Sequence, residues 1–94
     1  MNEDVVPLDG NAAAGQLAAL FAVEPTMMIV TCEGCGREGP LATLRYYGEP
    51  LGVVLRCPVC DTANVRSAST GKQVTLDLRG SSRLTVPDPE AREG

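Results

Sequence analysis

The chain has 94 residues, of which 44% are hydrophobic but only 3% aromatic, and its formal net charge is −4. A chain of this length forms one domain at most, and it has few of the large side chains that dominate core burial. A large hydrophobic core is therefore excluded, and a second source of stability is expected, since small domains commonly add disulfides or a metal ion.

The negative charge lies at the two ends of the chain. Residues 1–10 carry a formal charge of −3 and residues 87–94 carry −2, which leaves +1 for residues 11–86. Four thiolates on one divalent metal ion would bring that central region to −1. Binding to a phosphate backbone depends on dense positive charge, so this distribution disfavours nucleic acid as a partner without excluding it.

The N-terminal residues, Met1-Asn2-Glu3-Asp4, are acidic where a secretory signal is basic. The most apolar stretch, residues 12–30, is interrupted by Gln16, Glu24 and Pro25, and its apolar part is too short to span a bilayer. A soluble cytoplasmic protein with no membrane partner is therefore expected. In a reducing compartment, cysteine pairs are more often metal ligands or redox groups than structural disulfides.

Residues 1–8 are predicted to form a flexible arm and residues 9–86 the folded domain. A short helix is predicted over residues 12–22, which are rich in alanine and leucine. Asp9 or Asn11 can cap its first turn, and Pro25 ends it after Glu24.

One face of this helix carries Leu17, Leu20 and Phe21 at helical spacing. The favoured interpretation is that these side chains cover the sheet as part of the core. The alternative is an interface with an unknown protein partner or a second copy of the chain. The opposite face supports this alternative, because it carries only small residues, which permit close approach: Ala12, Gly15, Ala18, Ala19 and Ala22.

Beyond the helix, short extended runs separated by glycine and proline predict a small antiparallel sheet. In the clearest run, Val74, Leu76 and Leu78 alternate with polar residues, as in a half-buried strand. The tail of residues 87–94 is acidic and is predicted to be disordered. Strands are predicted over residues 28–31, 42–47, 53–56, 64–67 and 73–78, with residues 84–86 as a further candidate.

The four cysteines form two Cys-x2-Cys units that are separated by 21 residues. Each unit begins where a predicted strand ends, and a tight turn of this length aims both sulfurs to one side. Two such units complete a tetrahedron. The separation is one residue beyond the 15 to 20 that are usual for paired zinc motifs. We therefore predict one metal site with the ligands Cys32, Cys35, Cys57 and Cys60, and an α+β fold in which an N-terminal helix packs on a zinc-ribbon-type antiparallel sheet.

The metal is predicted to be structural zinc. No histidine occurs in the chain, so all four ligands are thiolates, which leave no coordination position open for catalysis. Iron is the alternative, because soft thiolate sites accept both metals. Cys57-Pro58-Val59-Cys60 resembles the second knuckle of rubredoxins, which are iron electron carriers, but Asp61 stands where rubredoxins have glycine. Unrelated buried thiols or redox pairs are a further alternative.

Four segments carry a wider resemblance: residues 8–15, the two cysteine units, residues 52–58 and residues 76–80. In these segments the chain resembles a small uncharacterised bacterial family of zinc-ribbon-like proteins, classed as a domain of unknown function. The resemblance covers about residues 8–86 and implies metal binding at the four cysteines. It implies no substrate, partner or mechanism.

Three functions are weighed against these features. The leading hypothesis is a protein-interaction or assembly module that uses the apolar helix. The second is a nucleic-acid-binding ribbon, which would depend on Arg45, Arg56, Arg66, Arg79 and Arg83, with Tyr46 and Tyr47. The third, an enzyme, is disfavoured, because the chain has no histidine base and no glycine-rich phosphate loop.

Overall fold

The computed structural model describes residues 9–50 and 52–88. Within these residues, one N-terminal helix is followed by seven strands in two small antiparallel sheets. The α+β fold that the sequence predicts is thereby confirmed. The predicted arm of residues 1–8 and residues 89–94 of the predicted tail lie outside the described residues.

The helix and strands are short and are joined by tight turns. The helix α1 spans Ala14–Phe21, and single 3-10 turns occupy Gly10–Ala13, Pro25–Met27 and Leu41–Thr43. The strands are β1 (Ile29–Cys32), β2 (Glu38–Pro40), β3 (Arg45–Glu49), β4 (Gly52–Arg56), β5 (Ala63–Ser69), β6 (Val74–Asp77) and β7 (Ser81–Thr85).

The strands divide into two sheets with the orders β2-β1-β7 and β3-β4-β5-β6. In the first sheet, the last strand of the chain returns to pair with the first, so that Val30 lies opposite both Gly39 and Leu84. In the second sheet, each strand pairs with the next along the chain. The two Cys-x2-Cys units lie in the turns of the β1–β2 and β4–β5 hairpins.

Two strand predictions are wrong between the cysteine units. No strand is predicted for β2, which pairs with β1 although Glu38-Gly39-Pro40 has no apolar alternation. The predicted strand 42–47 begins instead with a 3-10 turn, because the Thr43 hydroxyl donates to the Pro40 carbonyl oxygen at 2.6 Å and accepts from the Arg37 guanidinium at 3.0 Å. Only residues 45 onward continue as β3.

The core lies where the two sheets meet, and it is small. Val30, Leu44 and Val65 are buried together. None of them is aromatic, so the structure agrees with the expectation that apolar packing alone is limited. The partly buried side chains that pack against them are Leu41, Leu55, Leu78 and Leu84.

The strand predicted over residues 73–78 forms as β6, but the predicted burial of its apolar side chains is found only at Leu78, just after the strand. Leu78 packs against the core, but Val74 is 71% exposed and Leu76 is 50% exposed. β6 is an edge strand of the second sheet, and its first residues lie beyond the part of that sheet at which the core forms.

The helix does not cover the sheets, so the favoured interpretation of its apolar face is wrong. No residue of α1 is buried; Leu17 is 49% exposed and Phe21 is 69% exposed, while Leu20 is half-buried. The helix ends at Phe21, three residues before the predicted end at Glu24, and a separate 3-10 turn begins at Pro25. That turn separates the helix from β1.

Asp9 caps the 3-10 turn Gly10–Ala13 that leads into α1, since its side chain accepts a hydrogen bond from the Asn11 N–H at 2.9 Å, whereas α1 itself begins without a side-chain cap. In the part of the chain that the structure describes, no helix is long and apolar enough to cross a membrane.

Candidate metal centre

Two equivalent turns carry the cysteines, and we call residues 32–36 the first knuckle and residues 57–61 the second. β1 ends at Cys32 and β4 ends at Arg56, so each knuckle begins at the end of a strand, as predicted. Each knuckle is followed by the strand that completes its hairpin, and the two hairpins belong to different sheets. A site that joins the knuckles therefore also joins the sheets.

The same backbone hydrogen bonds form in both knuckles. The Cys32 N–H donates to the carbonyl oxygen five residues later at 2.8 Å, and the Cys57 N–H does so at 2.9 Å. The carbonyl oxygens of these two cysteines accept from the N–H groups four residues later, at 3.0 and 2.9 Å. Their sulfurs accept from the N–H groups of Gly34 and Val59, at 3.3 and 3.4 Å. These bonds fix the sulfur of the first cysteine of each knuckle inside its turn.

The fifth residue of each knuckle has a left-handed backbone. Gly36 has φ 80° and its counterpart Asp61 has φ 68°. Glycine adopts this conformation without steric cost, whereas an L-residue pays for it. Asp61 is the only non-glycine residue with positive φ in the described ranges.

The four sulfurs form one compact cluster. Their atoms all lie within 4.8 Å of one another, with Cys32 to Cys60 at 3.6 Å and Cys35 to Cys57 at 3.7 Å. These distances are too long for disulfides, which have S–S bonds of about 2.05 Å, and all four thiols are free. A tetrahedral metal with bonds of about 2.3 Å to sulfur places its ligands about 3.8 Å apart. The donor atoms and their spacing therefore fit one four-coordinate metal ion.

Burial differs between the two cysteines of each knuckle. Cys32 and Cys57 are 3% and 0% exposed, whereas Cys35 and Cys60 lie at the surface. The first cysteine of each pair thus belongs to the interior and the second faces solvent. This open side gives an ion a path to the sulfurs.

Burial and hydrogen bonding act in opposite directions on the thiols. Burial raises the pKa of Cys32, but hydrogen bonds from the Asn64 side chain and from backbone N–H groups outweigh it and lower the pKa from 9.0 to about 6. The Arg37 N–H lowers the pKa of Cys35, whereas burial and the three neighbouring sulfurs raise it to about 11. Burial also raises the pKa of Cys57, and backbone N–H groups of its knuckle lower it overall. Thiols this close oppose one another's ionisation, and a bound cation removes that opposition.

A second layer of residues surrounds the sulfurs, and the cysteine pattern does not predict it. The Thr62 hydroxyl lies 3.1 Å from the Cys60 sulfur. The buried Asn64 side chain donates to the Gly80 carbonyl oxygen at 2.8 Å, and the same oxygen accepts from the Glu33 N–H of the first knuckle at 2.9 Å. Gly34 packs so closely on the second knuckle that a Cβ there would collide with the Thr62 hydroxyl. The signal in the sequence that marks Thr62 and Asn64 is their position just after the second Cys-x2-Cys unit, with Asn64 a polar residue at the start of a predicted strand.

The sequence model of a protein family, described as "Family of unknown function (DUF6510)", matches residues 2–89 of the chain. The chain belongs to this family. No curated protein and no solved structure matches the chain. For this DUF6510 protein, the functional argument therefore depends on the sulfur cluster and on the surfaces around it.

The second sheet of the DUF6510 protein has one face on which arginines and a tyrosine come together. Arg45 on β3 lies directly opposite Arg56 on β4. Two residues further along β3, Tyr47 lies opposite Val54, and Val54 in turn lies opposite Arg66 on β5. Alternate residues of a strand share a face, so the three arginines and the tyrosine project to one side. The Arg56 guanidinium carbon lies 5.9 Å from the centre of the Tyr47 ring.

Acidic groups offset part of the charge on this face. An Asp61 carboxylate oxygen lies 3.9 Å from Arg56. Asp77, which lies opposite Arg66, pairs with Arg79 at 2.7 Å. The face is therefore basic, but only moderately.

Proposed function

We propose that this DUF6510 protein is a small cytoplasmic protein that folds around one structural zinc ion and acts as a protein-interaction or assembly module. The observation that carries the proposal is the cluster of four sulfurs, which meet at tetrahedral spacing between two hairpins of different sheets. Cys32, Cys35, Cys57 and Cys60 would each supply one ligand. The metal would stabilise the fold, since four thiolates leave no position for a reacting water.

The small core supports a structural role for the metal. Structural zinc binding contributes about 10–16 kcal/mol in small zinc peptides, whereas a whole domain is stable by about 5–15 kcal/mol. Among the described residues, the buried apolar cluster consists of Val30, Leu44 and Val65. Metal binding is therefore large enough to decide whether this chain is folded.

Zinc is preferred to iron, and electron transfer is the function that iron would indicate. Native mass spectrometry of freshly purified, reduced protein tests metal identity, metal count and oligomeric state in one measurement. We expect one zinc ion per chain. One iron ion per chain, with the visible absorption of an iron–thiolate site, would replace the structural-zinc proposal by the rubredoxin-like one.

The interaction role is supported by the exposed apolar face of α1. Leu17 and Phe21 are each about half exposed or more, and they lie on a helix with no buried residue. Exposed apolar side chains grouped on one element are typical of interaction sites. Either a partner protein or a second copy of the chain would cover them. The oligomeric state in the same mass spectrum distinguishes these two possibilities.

Nucleic-acid binding is the second candidate, and the strand register favours it. Arg45, Arg56, Arg66 and Tyr47 share one face, and an aromatic ring beside arginines is suited to stacking on an unpaired base. It ranks second because Asp61 and the Asp77–Arg79 pair reduce the positive charge.

A labelled single-stranded oligonucleotide tests the second candidate. Three phosphate contacts predict that affinity falls about 20-fold between 50 and 200 mM salt, and that Arg66→Ala weakens binding. Arg83→Ala, on the other sheet, is the matched control. Affinity that is absent at low salt, or that both variants leave unchanged, would reject this candidate.

A further inference from the structure

The core side of the second sheet is covered at only one end. In an antiparallel sheet, alternate residues of a strand share a face, and so do residues that lie directly opposite each other. Leu55 and Leu78 pack against the core. Val53 lies two residues before Leu55 in β4, while Leu76 and Val74 lie two and four residues before Leu78 in β6. These three side chains therefore continue the core face beyond the part that the first sheet covers.

This uncovered end forms an apolar surface, which we call the open face and define by Tyr46, Val53, Val74 and Leu76. Tyr46 belongs to it because it lies directly opposite Leu55, and it is 69% exposed. Its ring leans over Gly48, since a Cβ on that glycine would lie 2.6 Å from the tyrosine oxygen. The ring forms one wall of a hollow of about 590 Å³ that Val53 and Val74 also line.

The helix α1 provides a second uncovered apolar surface. Leu17 and Phe21 are exposed and lie one turn apart on one side of the helix. Residues 10–23 contain no charged side chain, and none lines the hollow among the residues that the structure describes there. Packing an apolar helix stripe on an apolar sheet face is a common way to build a protein layer. Such a contact here would bury no unpaired charge.

The area of the two surfaces favours two such contacts over one. A leucine or valine side chain has about 60–120 Å² of apolar surface and an aromatic one about 150–250 Å². At their exposed fractions, five side chains together present roughly 400 Å² per chain: Leu17, Phe21, Tyr46, Val74 and Leu76. One helix on one open face would bury roughly that area, far below the 1,200–2,000 Å² of a stable interface. Two reciprocal contacts double it, before the neighbouring alanines and serines are counted.

We propose that this DUF6510 protein forms a two-fold dimer in which α1 of each copy docks on the open face of the other. The proposal rests on the interaction role proposed above, and it names the partner as a second copy of the chain. One kind of contact then covers both apolar surfaces, because each copy supplies both. A foreign partner bound to the helix would leave the open face exposed. A two-fold arrangement also closes, so that the pair has no further docking surface of this kind.

Sedimentation of the full, reduced, zinc-loaded chain over a range of concentrations tests the proposal. We expect a monomer–dimer equilibrium that Val74→Lys weakens by at least about 100-fold, because each dimer would bury two introduced ammonium groups without partners. Thr75→Lys is the matched control, since Thr75 is exposed and lies on the opposite face of β6. It adds the same charge and should leave the dimer unchanged.

A charge exchange tests the reciprocal geometry. Phe21→Glu should weaken dimerisation as Val74→Lys does. A mixture of these two variants should dimerise at least about tenfold more tightly than either alone, because one of its two contacts is unaltered and the other joins a carboxylate to an ammonium group. If a charged variant does not fold, as judged by zinc content, Tyr46→Ser should weaken the dimer instead. Tyr47→Ser, on the opposite face of β3, is its control.

A wild-type chain that stays monomeric at every concentration would overturn the proposal, including the case in which α1 covers the open face of its own chain. A dimer that Phe21→Glu disrupts and Val74→Lys does not would also overturn it, since that result indicates contact between two helices. One zinc ion per chain in either case would leave the structural-metal part of the proposed function intact. A dimer with the expected variant effects but no bound metal would overturn that part and support this inference.

Discussion

Asp61 has the backbone conformation that glycine has at the equivalent position of the first knuckle. Its φ of 68° compares with 80° at Gly36, and both N–H groups close the same turn. Aspartate tolerates the left-handed region better than most residues, because its side chain can bond locally. The Arg56 guanidinium donates to the Asp61 carbonyl oxygen at 2.9 Å, and this bond anchors Asp61 to the end of β4.

We predict that Asp61→Gly and Asp61→Ala differ in stability by about 1 kcal/mol, with the glycine variant the more stable. Both substitutions remove the exposed carboxylate near Arg56, so their difference isolates the cost of the left-handed backbone. Denaturant unfolding of the metal-loaded variants measures it. Equal free energies of unfolding would mean that the turn does not hold residue 61 in that conformation.

Gly34 faces the second knuckle, and substituting it tests how closely the two knuckles pack. A Cβ there would collide with Thr62 and lie 3.2 Å from the Cys60 sulfur. We expect Gly34→Ala to push the knuckles apart, destabilise the metal-loaded protein by about 1–3 kcal/mol and weaken metal binding.

Gly15→Ala is its matched control, since a Cβ at that helix position meets nothing within 4 Å. That substitution should stabilise the helix by about 0.5–1 kcal/mol. Thermal unfolding and chelator competition measure both variants. A tolerated alanine at position 34 would contradict the close approach of the two knuckles.

At the scale of elements, local patterns predict where strands end but not which strands share a sheet. The sequence places both Cys-x2-Cys units at strand ends, and β1 and β4 do end there. The division into two sheets depends on the return of β7 to β1, a pairing between residues 81–85 and 29–32 that no local pattern marks. β2 likewise forms because the first knuckle turns the chain back along β1.

For the helix as well, the sequence predicts the local structure better than the tertiary contacts. Its extent is predicted nearly correctly from alanine and leucine content, but the fate of its apolar face is not. Periodicity identifies Leu17, Leu20 and Phe21 as one face, and only the tertiary structure shows that this face is exposed.

We predict that Phe21→Ala changes the free energy of unfolding by less than about 0.5 kcal/mol. Leu44→Ala, in the buried cluster, should cost about 2–5 kcal/mol. If α1 is an interface, Phe21→Ala should also weaken self-association or partner binding, which sedimentation measures. A loss of stability as large as that of Leu44→Ala would place Phe21 in the core after all.

At the scale of the whole molecule, the clustering of the four cysteines is the part that the sequence predicts best. Four cysteines in two spaced pairs identify the donor atoms, and the structure brings all four sulfurs together. The residues around them are less predictable, because Asn64 is turned to the interior by a bulge and Gly80 approaches Asn64 from sixteen residues away.

Metal loading should depend on pH, because each ligand binds as a thiolate. In the metal-free protein, the raised pKa of Cys35, about 11, means that the metal displaces a proton there at neutral pH. Cys32, with its pKa lowered to about 6, gains a proton only as the pH falls through that value. Affinity should therefore fall by about tenfold per pH unit for each protonated thiol, and more steeply below about pH 6. Zinc competition titrations across this range check it, and a pH-independent affinity would contradict thiolate ligation.

The most direct measurement is removal of the metal by a strong chelator under reducing conditions, followed by circular dichroism and thermal unfolding. Because the three-residue apolar cluster offers little stability by itself, we predict that the strand signal and the cooperative transition are lost, and that added zinc restores both. Reduced, metal-free protein with an unchanged spectrum and an unchanged transition would contradict the account.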